Sequence, residues 1–184
     1  LYNGFLRLIQ ELELIVLRIR GCKLVVIYQG NDARQGDFLK ANRSSSHINE
    51  IGDAYYPAKS DHQKRKQISL LNRYCDLIYA LNPDLLQVLP ERARFLPYAV
   101  SIPTVFSAES VTRSSGRFVV GHAPTNRVVK GTTYVIEAVN ELQKMGVEIE
   151  LMLVEDKTNY EALSLYQSAD IVVDQLLTGW YGGF

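Results

Sequence analysis

The chain has 184 residues, 47% hydrophobic and 22% charged, a composition that belongs to globular rather than disordered proteins. Lys plus Arg and Asp plus Glu number 20 each, so no net field draws in nucleic acid or anionic lipid, and any polyanion site has to be local. No stretch reaches the roughly 18 uncharged apolar residues of a membrane span, and Cys22 and Cys75 lack framework or metal spacing, reading as buried free thiols of a reducing compartment.

Phe5 to Arg20 places Leu6, Ile9, Leu12, Val16 and Ile19 at spacings of three and four, which predicts a helix burying that stripe, closed by Gly21. "KLVVIY" (Lys23 to Tyr28) predicts a short strand covered on both faces. After the polar turn "QGNDARQGD", Asp37 to Ser60 is rich in Asn, Ser and Asp and reads mostly as loop. Asp61 to Tyr74 predicts a helix, "DLIYAL" a strand, "PDLLQVLP" a short helix opened by Pro83, and "RFLPYAV" another strand. Composition then shifts over Ser101 to Gly116, with prolines, serines and no sustained period. "RFVVGH" predicts a strand, Thr133 to Met145 a helix ended by Gly146, and "EIELMLV" a strand. Thr158 and Glu161 have the spacing of a capping box opening a helix to about Ser168, and "DIVVDQL" is the last predicted strand.

Strands alternating with helices on both sides of a linker predict an α/β fold of parallel sheets with right-handed crossovers. The expected organisation is two open α/β domains facing each other, at 1–104 and 117–184, joined by a linker at 105–116. Both are expected to be incomplete, because Leu1 stands where an initiator Met would and the chain stops at "TGWYGGF". Ligands of such sheets bind beyond the carboxyl ends of the strands, which directs attention to "QGNDAR", "HAPTNRVVKG", "EDKTN" and "QLLTGWYGGF".

In "GHAPTNRVVKG", Arg127 and Lys130 sit in a loop that leads into the start of a helix. They are either solvated decoration or an anion pair. The second reading has a mechanism: helix starts favour anions, arginine offers a planar fork, and Gly131 would let the backbone approach a ligand. Gly182 and Gly183 in "GWYGGF" belong either to an ordinary turn or to a close approach to a ligand. Asp32 either closes a turn or takes part in catalysis, and His122 faces either the core or a cleft. Lys59, Lys64, Arg65, Lys66 and Arg73 form a solvated helix face or a contact with an acidic membrane or acceptor. His47, Asp53 and His62 lack metal-ligand spacing, so no metal is expected.

The ordered set "GHAPTNRVVKGTTYVIEAV", "IELMLVE" and "YEALSLYQSADIVVDQLLTGWYGGF" resembles the first part of the donor-binding domain of glycosyltransferase family 4, retaining enzymes with two facing Rossmann-like domains in the GT-B arrangement. Upstream, "KLVVIYQGNDAR", "YCDLIYALNPDLLQVLP" and "ARFLPYAV" are similar to the closing half of the acceptor-side domain. The resemblance covers roughly Gly21 to Phe184. It implies that Arg127 and Lys130 hold the diphosphate of a nucleotide-sugar donor, UDP- or GDP-linked, and stabilise the departing nucleoside diphosphate. It also implies that Glu155 lies near the nucleoside base, that Gly182 and Gly183 pass close to phosphate and sugar, and that no metal or other cofactor is required. The acceptor would be a hydroxyl of a glycan, lipid or small molecule. The implied location is cytoplasmic, at or away from the inner face of a membrane.

Two positions depart from the family pattern. Gln29 stands where many relatives have histidine, and glutamine cannot transfer a proton. Gly179 stands at the first glutamate of a spaced acidic pair, whose second member would fall beyond Phe184. The isolated chain is therefore expected to have little or no transferase activity. These departures keep two alternatives open, a degenerate nucleotide- or polyanion-binding module and a related sugar-nucleotide epimerase.

Overall fold

The computed structural model describes residues 2–52, 55–99 and 116–178. Most of the expected linker at 105–116 and the whole "GWYGGF" turn, with Gly182 and Gly183, lie outside the described residues. In chain order the elements are α1 (Tyr2–Ile19), β1 (Val25–Tyr28), α2 (Gly36–Asn42), α3 (His47–Ile51), α4 (Ala58–Tyr74), β2 (Leu77–Ala80), a 3-10 turn (Pro83–Gln87) and β3 (Arg94–Phe95). They are followed by β4 (Phe118–His122), α5 (Arg127–Lys130), α6 (Thr132–Lys144), β5 (Ile149–Leu153), α7 (Asn159–Tyr166) and β6 (Ile171–Val173). Among the described residues the protein is mixed α/β, with two three-stranded parallel sheets ordered β1-β2-β3 and β5-β4-β6.

The chain divides into two compact units. One comprises Leu1–Arg43 and Gly52–Tyr98, the other Ser44–Ile51 and Ala99–Phe184. The segment Ser44–Ile51 thus belongs with the second half of the chain, which no local pattern announces. Its helix α3 is anchored there by its first residue: the His47 amide donates to the Leu177 carbonyl at 3.1 Å. The Tyr134 hydroxyl donates to Glu50 at 2.7 Å.

The first unit builds its core from Tyr28, Ala33, Ile68, Cys75, Ile78, Ala80, Leu85 and Leu89. Asp76 ties α1, the approach to β1 and the end of α4 together. Its carboxylate accepts from the Leu24 amide at 2.8 Å and from Arg18 at 2.7 Å. Four expectations for the first hundred residues need correction. The span 37–60 is not mostly loop, because α2, α3 and the start of α4 fall within it; α2 and α3 run only 7 and 5 residues, too short for a period to show. β1 is not covered on both faces, since Val25 and Ile27 remain 50% and 42% exposed while Tyr28 is buried. The stripe Leu6, Ile9, Leu12, Val16 and Ile19 of α1 is also exposed; α1 meets α4 through polar contacts such as Arg73 and Tyr74 with Glu11. Cys22 is exposed, and only Cys75 is buried, where desolvation pushes its thiol up.

In the second unit Val120, Val139 and Ile149 form the buried centre, with Leu151 and Val173 packed against it. α6 reaches this core because Val135 and Val139 lie one turn apart on its inner face. The capping box forms as expected: Thr158 Oγ1 accepts the Glu161 amide, and the Glu161 carboxylate accepts the Thr158 amide at 2.8 Å. Among the described residues no helix is long and apolar enough to cross a membrane.

Candidate functional site

Because β4, β5 and β6 are parallel, the segments that leave them emerge on one edge of the sheet. β4 is the central strand, and the loop after it leads into the single-turn helix α5. Asn126 makes that turn possible, its Oδ1 accepting the amides of Val128 and Val129 at 3.1 Å each. Arg127 and Lys130 are the first and last residues of α5, so both cations are delivered to the carboxyl edge of the sheet from one capped turn.

Each cation meets an acid from a neighbouring strand end. Arg127 presents its fork to Glu155, just after β5: Nε donates to Oε1 at 2.8 Å and Nη2 donates to Oε2. This contact pushes the guanidinium of Arg127 up and holds the Glu155 carboxyl below the usual carboxylate range, in each case chiefly through the side-chain hydrogen bond. Lys130 Nζ donates to Asp174, which directly follows β6, at 2.5 Å. An open cleft of about 840 Å³ lies beside the first pair, lined among others by Pro124, Arg127, Glu155, Asp156, Lys157 and Tyr166. Lys130 and Asp174 are not part of its lining. Asp156 has φ 53, the left-handed region that Asp tolerates better than most residues, and this turns the chain around the cleft rim.

Beneath the chemistry of the cations is a buried support. His122 ends β4 with no exposed surface, and Thr132 opens α6 almost as deeply buried. His122 Nδ1 lies 2.6 Å from the Val173 carbonyl, which can only accept, so Nδ1 carries the proton. In the neutral ring Nε2 is then the acceptor for the Thr132 hydroxyl at 2.9 Å. The imidazole thereby fixes the end of β6, which Asp174 directly follows, and the start of α6, two residues after Lys130. The choice between core and cleft for His122 falls to the core.

Gly131 joins α5 to α6 in a place where a side chain would not fit. Its φ of 75 turns α5 into α6, and a Cβ there would meet Leu176 Cβ at 3.2 Å and Leu177 Cγ at 3.3 Å. Asp32 lies in the first unit and closes the turn after β1. Its carboxylate accepts the Gln29 amide at 3.0 Å and the Gly30 amide at 2.7 Å, which is the turn-forming role. Arg34 is drawn inward to Asp84, Nε to Oδ2 at 2.7 Å, with both side chains largely buried. Lys64 is also turned inward: it donates to the Arg34 carbonyl at 2.5 Å and lies 4.0 Å over the Tyr56 ring, so it is not part of a solvated face. Among the described residues no group of three or more His, Cys, Asp or Glu is placed to hold a metal ion.

Asp174 and Asp84 were missed by sequence reasoning. Asp174 left one trace, an acid directly after a β-branched run and therefore at the ligand edge of a parallel sheet. Asp84 left none, because it closes on Arg34 from 50 residues away. Compared with family models, curated protein sequences and solved structures, the chain returns no match.

Proposed function

We propose that the cleft at the carboxyl edge of the β5-β4-β6 sheet binds the diphosphate of a nucleotide-sugar donor, and that the chain is part of a retaining glycosyltransferase of the family 4, GT-B kind. The observation that carries this reading is the delivery of Arg127 and Lys130 by one short helix, α5, at the end of the central strand, with the cleft alongside. Breaking the bond between the anomeric carbon and the β-phosphate oxygen moves negative charge onto the departing nucleoside diphosphate. The guanidinium of Arg127, once exchanged from Glu155, stabilises that charge as it grows, and the ammonium of Lys130, held by Asp174, adds to the positive potential at the same sheet edge. The acceptor is a hydroxyl compound, and the bond to it forms on the face the nucleotide leaves.

Calorimetry with UDP and GDP on the wild type, Arg127→Ala and Lys130→Ala tests the reading. Binding of one nucleotide that falls at least about tenfold in the Arg127 variant supports it, a loss of the size expected for a charge-assisted contact. Equal binding by all three proteins rejects it.

A second reading, a module that binds nucleotide without transferring sugar, is favoured by the turn after β1. Gln29 replaces the histidine of the resembled family, and Asp32 spends its carboxylate on two backbone amides. Turnover of a nucleotide sugar decides for the first reading, since only that one allows transfer; its absence in this chain is expected under both.

A further inference from the structure

The two ion pairs of the site differ in kind. Lys130 and Asp174 keep only 15% and 16% of their side-chain surface, whereas Arg127 and Glu155 keep 57% and 27%. A pair enclosed by protein is hard to separate, because each charge left behind is poorly solvated. A pair open to water exchanges partners readily. Glu155 also uses Arg127 in a particular way: two oxygens on Nε and Nη2, the same edge of the fork that would grip two oxygens of a phosphate. Both Arg127 and Glu155 line the cleft. Lys157 lies on the same rim, so positive charge remains in the cleft when Glu155 moves away.

We propose that Glu155 is a built-in competitor for the anion of the ligand. In the free protein its carboxylate occupies Arg127, and a ligand enters by taking the guanidinium from it. Such an exchange favours a multiply charged group such as a diphosphate, which gains from Arg127 and Lys157 together, over a singly charged anion that offers no more than Glu155 already supplies. Glu155 therefore sets which anions the cleft admits. Asp174 is the opposite case, an acid that holds its cation in place. The inference rests on the proposed reading of Arg127 as an anion-binding residue.

The test is calorimetry with inorganic pyrophosphate on the wild type, Glu155→Gln, Asp174→Asn, Arg127→Met and the double variant Glu155→Gln/Arg127→Met, with circular dichroism to confirm folding. Glu155→Gln is expected to bind roughly two- to fivefold tighter than the wild type, the range that loss of an exposed ion pair allows. Asp174→Asn should show no such gain, and the gain should vanish in the double variant relative to Arg127→Met. A gain of the same size from Asp174→Asn, or one that survives without Arg127, overturns the inference, because a general change of charge then explains it. Unchanged or weaker binding by Glu155→Gln, with Arg127→Met still impaired, overturns the competitor role and leaves the anion site standing. Absence of pyrophosphate binding by both the wild type and Glu155→Gln overturns the anion site and this inference together.

Discussion

His122, the last residue of β4, and Thr132, the first of α6, are joined by a 2.9 Å hydrogen bond in a place solvent does not reach. The imidazole spends its proton on the Val173 carbonyl, so the threonine hydroxyl is the donor its other nitrogen depends on. Thr132→Val keeps the shape and removes that donor. It should destabilise the protein by about 1–3 kcal/mol, the cost of an unsatisfied buried acceptor, while Thr132→Ser should recover most of the loss. Urea denaturation of the three proteins checks this.

Gly131 and Gly146 allow backbone strain to be separated from packing. Both have positive φ, 75 and 83, but a Cβ at Gly146 meets nothing within 4 Å, whereas at Gly131 it presses on Leu176 and Leu177. Gly146→Ala should cost about 1–2 kcal/mol, the left-handed penalty alone. Gly131→Ala should cost more, and the difference between the two thermal midpoints measures the packing between the start of α6 and the segment after β6.

The buried pair of Arg34 and Asp84 predicts strong coupling. Asp84→Ala strands a guanidinium whose side chain is only 11% exposed, at a cost of about 3–5 kcal/mol. Replacing both residues, Arg34→Met with Asp84→Ala, should be less destabilising than Asp84→Ala alone. A double-mutant cycle with near-zero coupling would show that the pair is not held as described.

Acid stability depends in part on Asp76. The backbone amide of Leu24, with Arg18 second, brings its carboxyl down to about 2. A folded value below the unfolded one, about 3.9, means the stabilisation is complete above pH 4 and fades as pH falls toward 2. Asp76→Asn should flatten the fall in stability across that window and leave the dependence above about pH 5 unchanged. Urea midpoints measured between pH 7 and pH 2.5 read out the slope.

Several elements are legible in the sequence because their signals are local. The helices α4, α6 and α7 and the strands β1, β2, β4, β5 and β6 each announce themselves by a period, a short apolar run or a cap within a few residues. The pair Arg127 and Lys130 was legible for the same reason, as two cations between a β-branched run and a helix start. The short helices α2 and α3 were not, since neither spans enough residues for a hydrophobic period to stand out from a polar loop. The apolar stripe of α1 shows the reverse error: periodicity records that a face is apolar, but burial needs a partner for that face, and α4 meets a different one.

The sequence by itself determined the alternation of strands and helices, hence parallel sheets, and with them the edge on which Arg127, Lys130, Glu155 and Asp174 had to emerge. Only the tertiary structure decided the pairings among these four. It seated Glu155 on Arg127 across 28 residues and Asp174 on Lys130 across 44. It also joined α3 to the second unit and sank His122 between two strand and helix ends. The physical reason is range. Local pattern follows from backbone geometry within one or two turns, whereas an ion pair depends on sheet order and on how much water each partner loses, and both exist only once distant segments have packed.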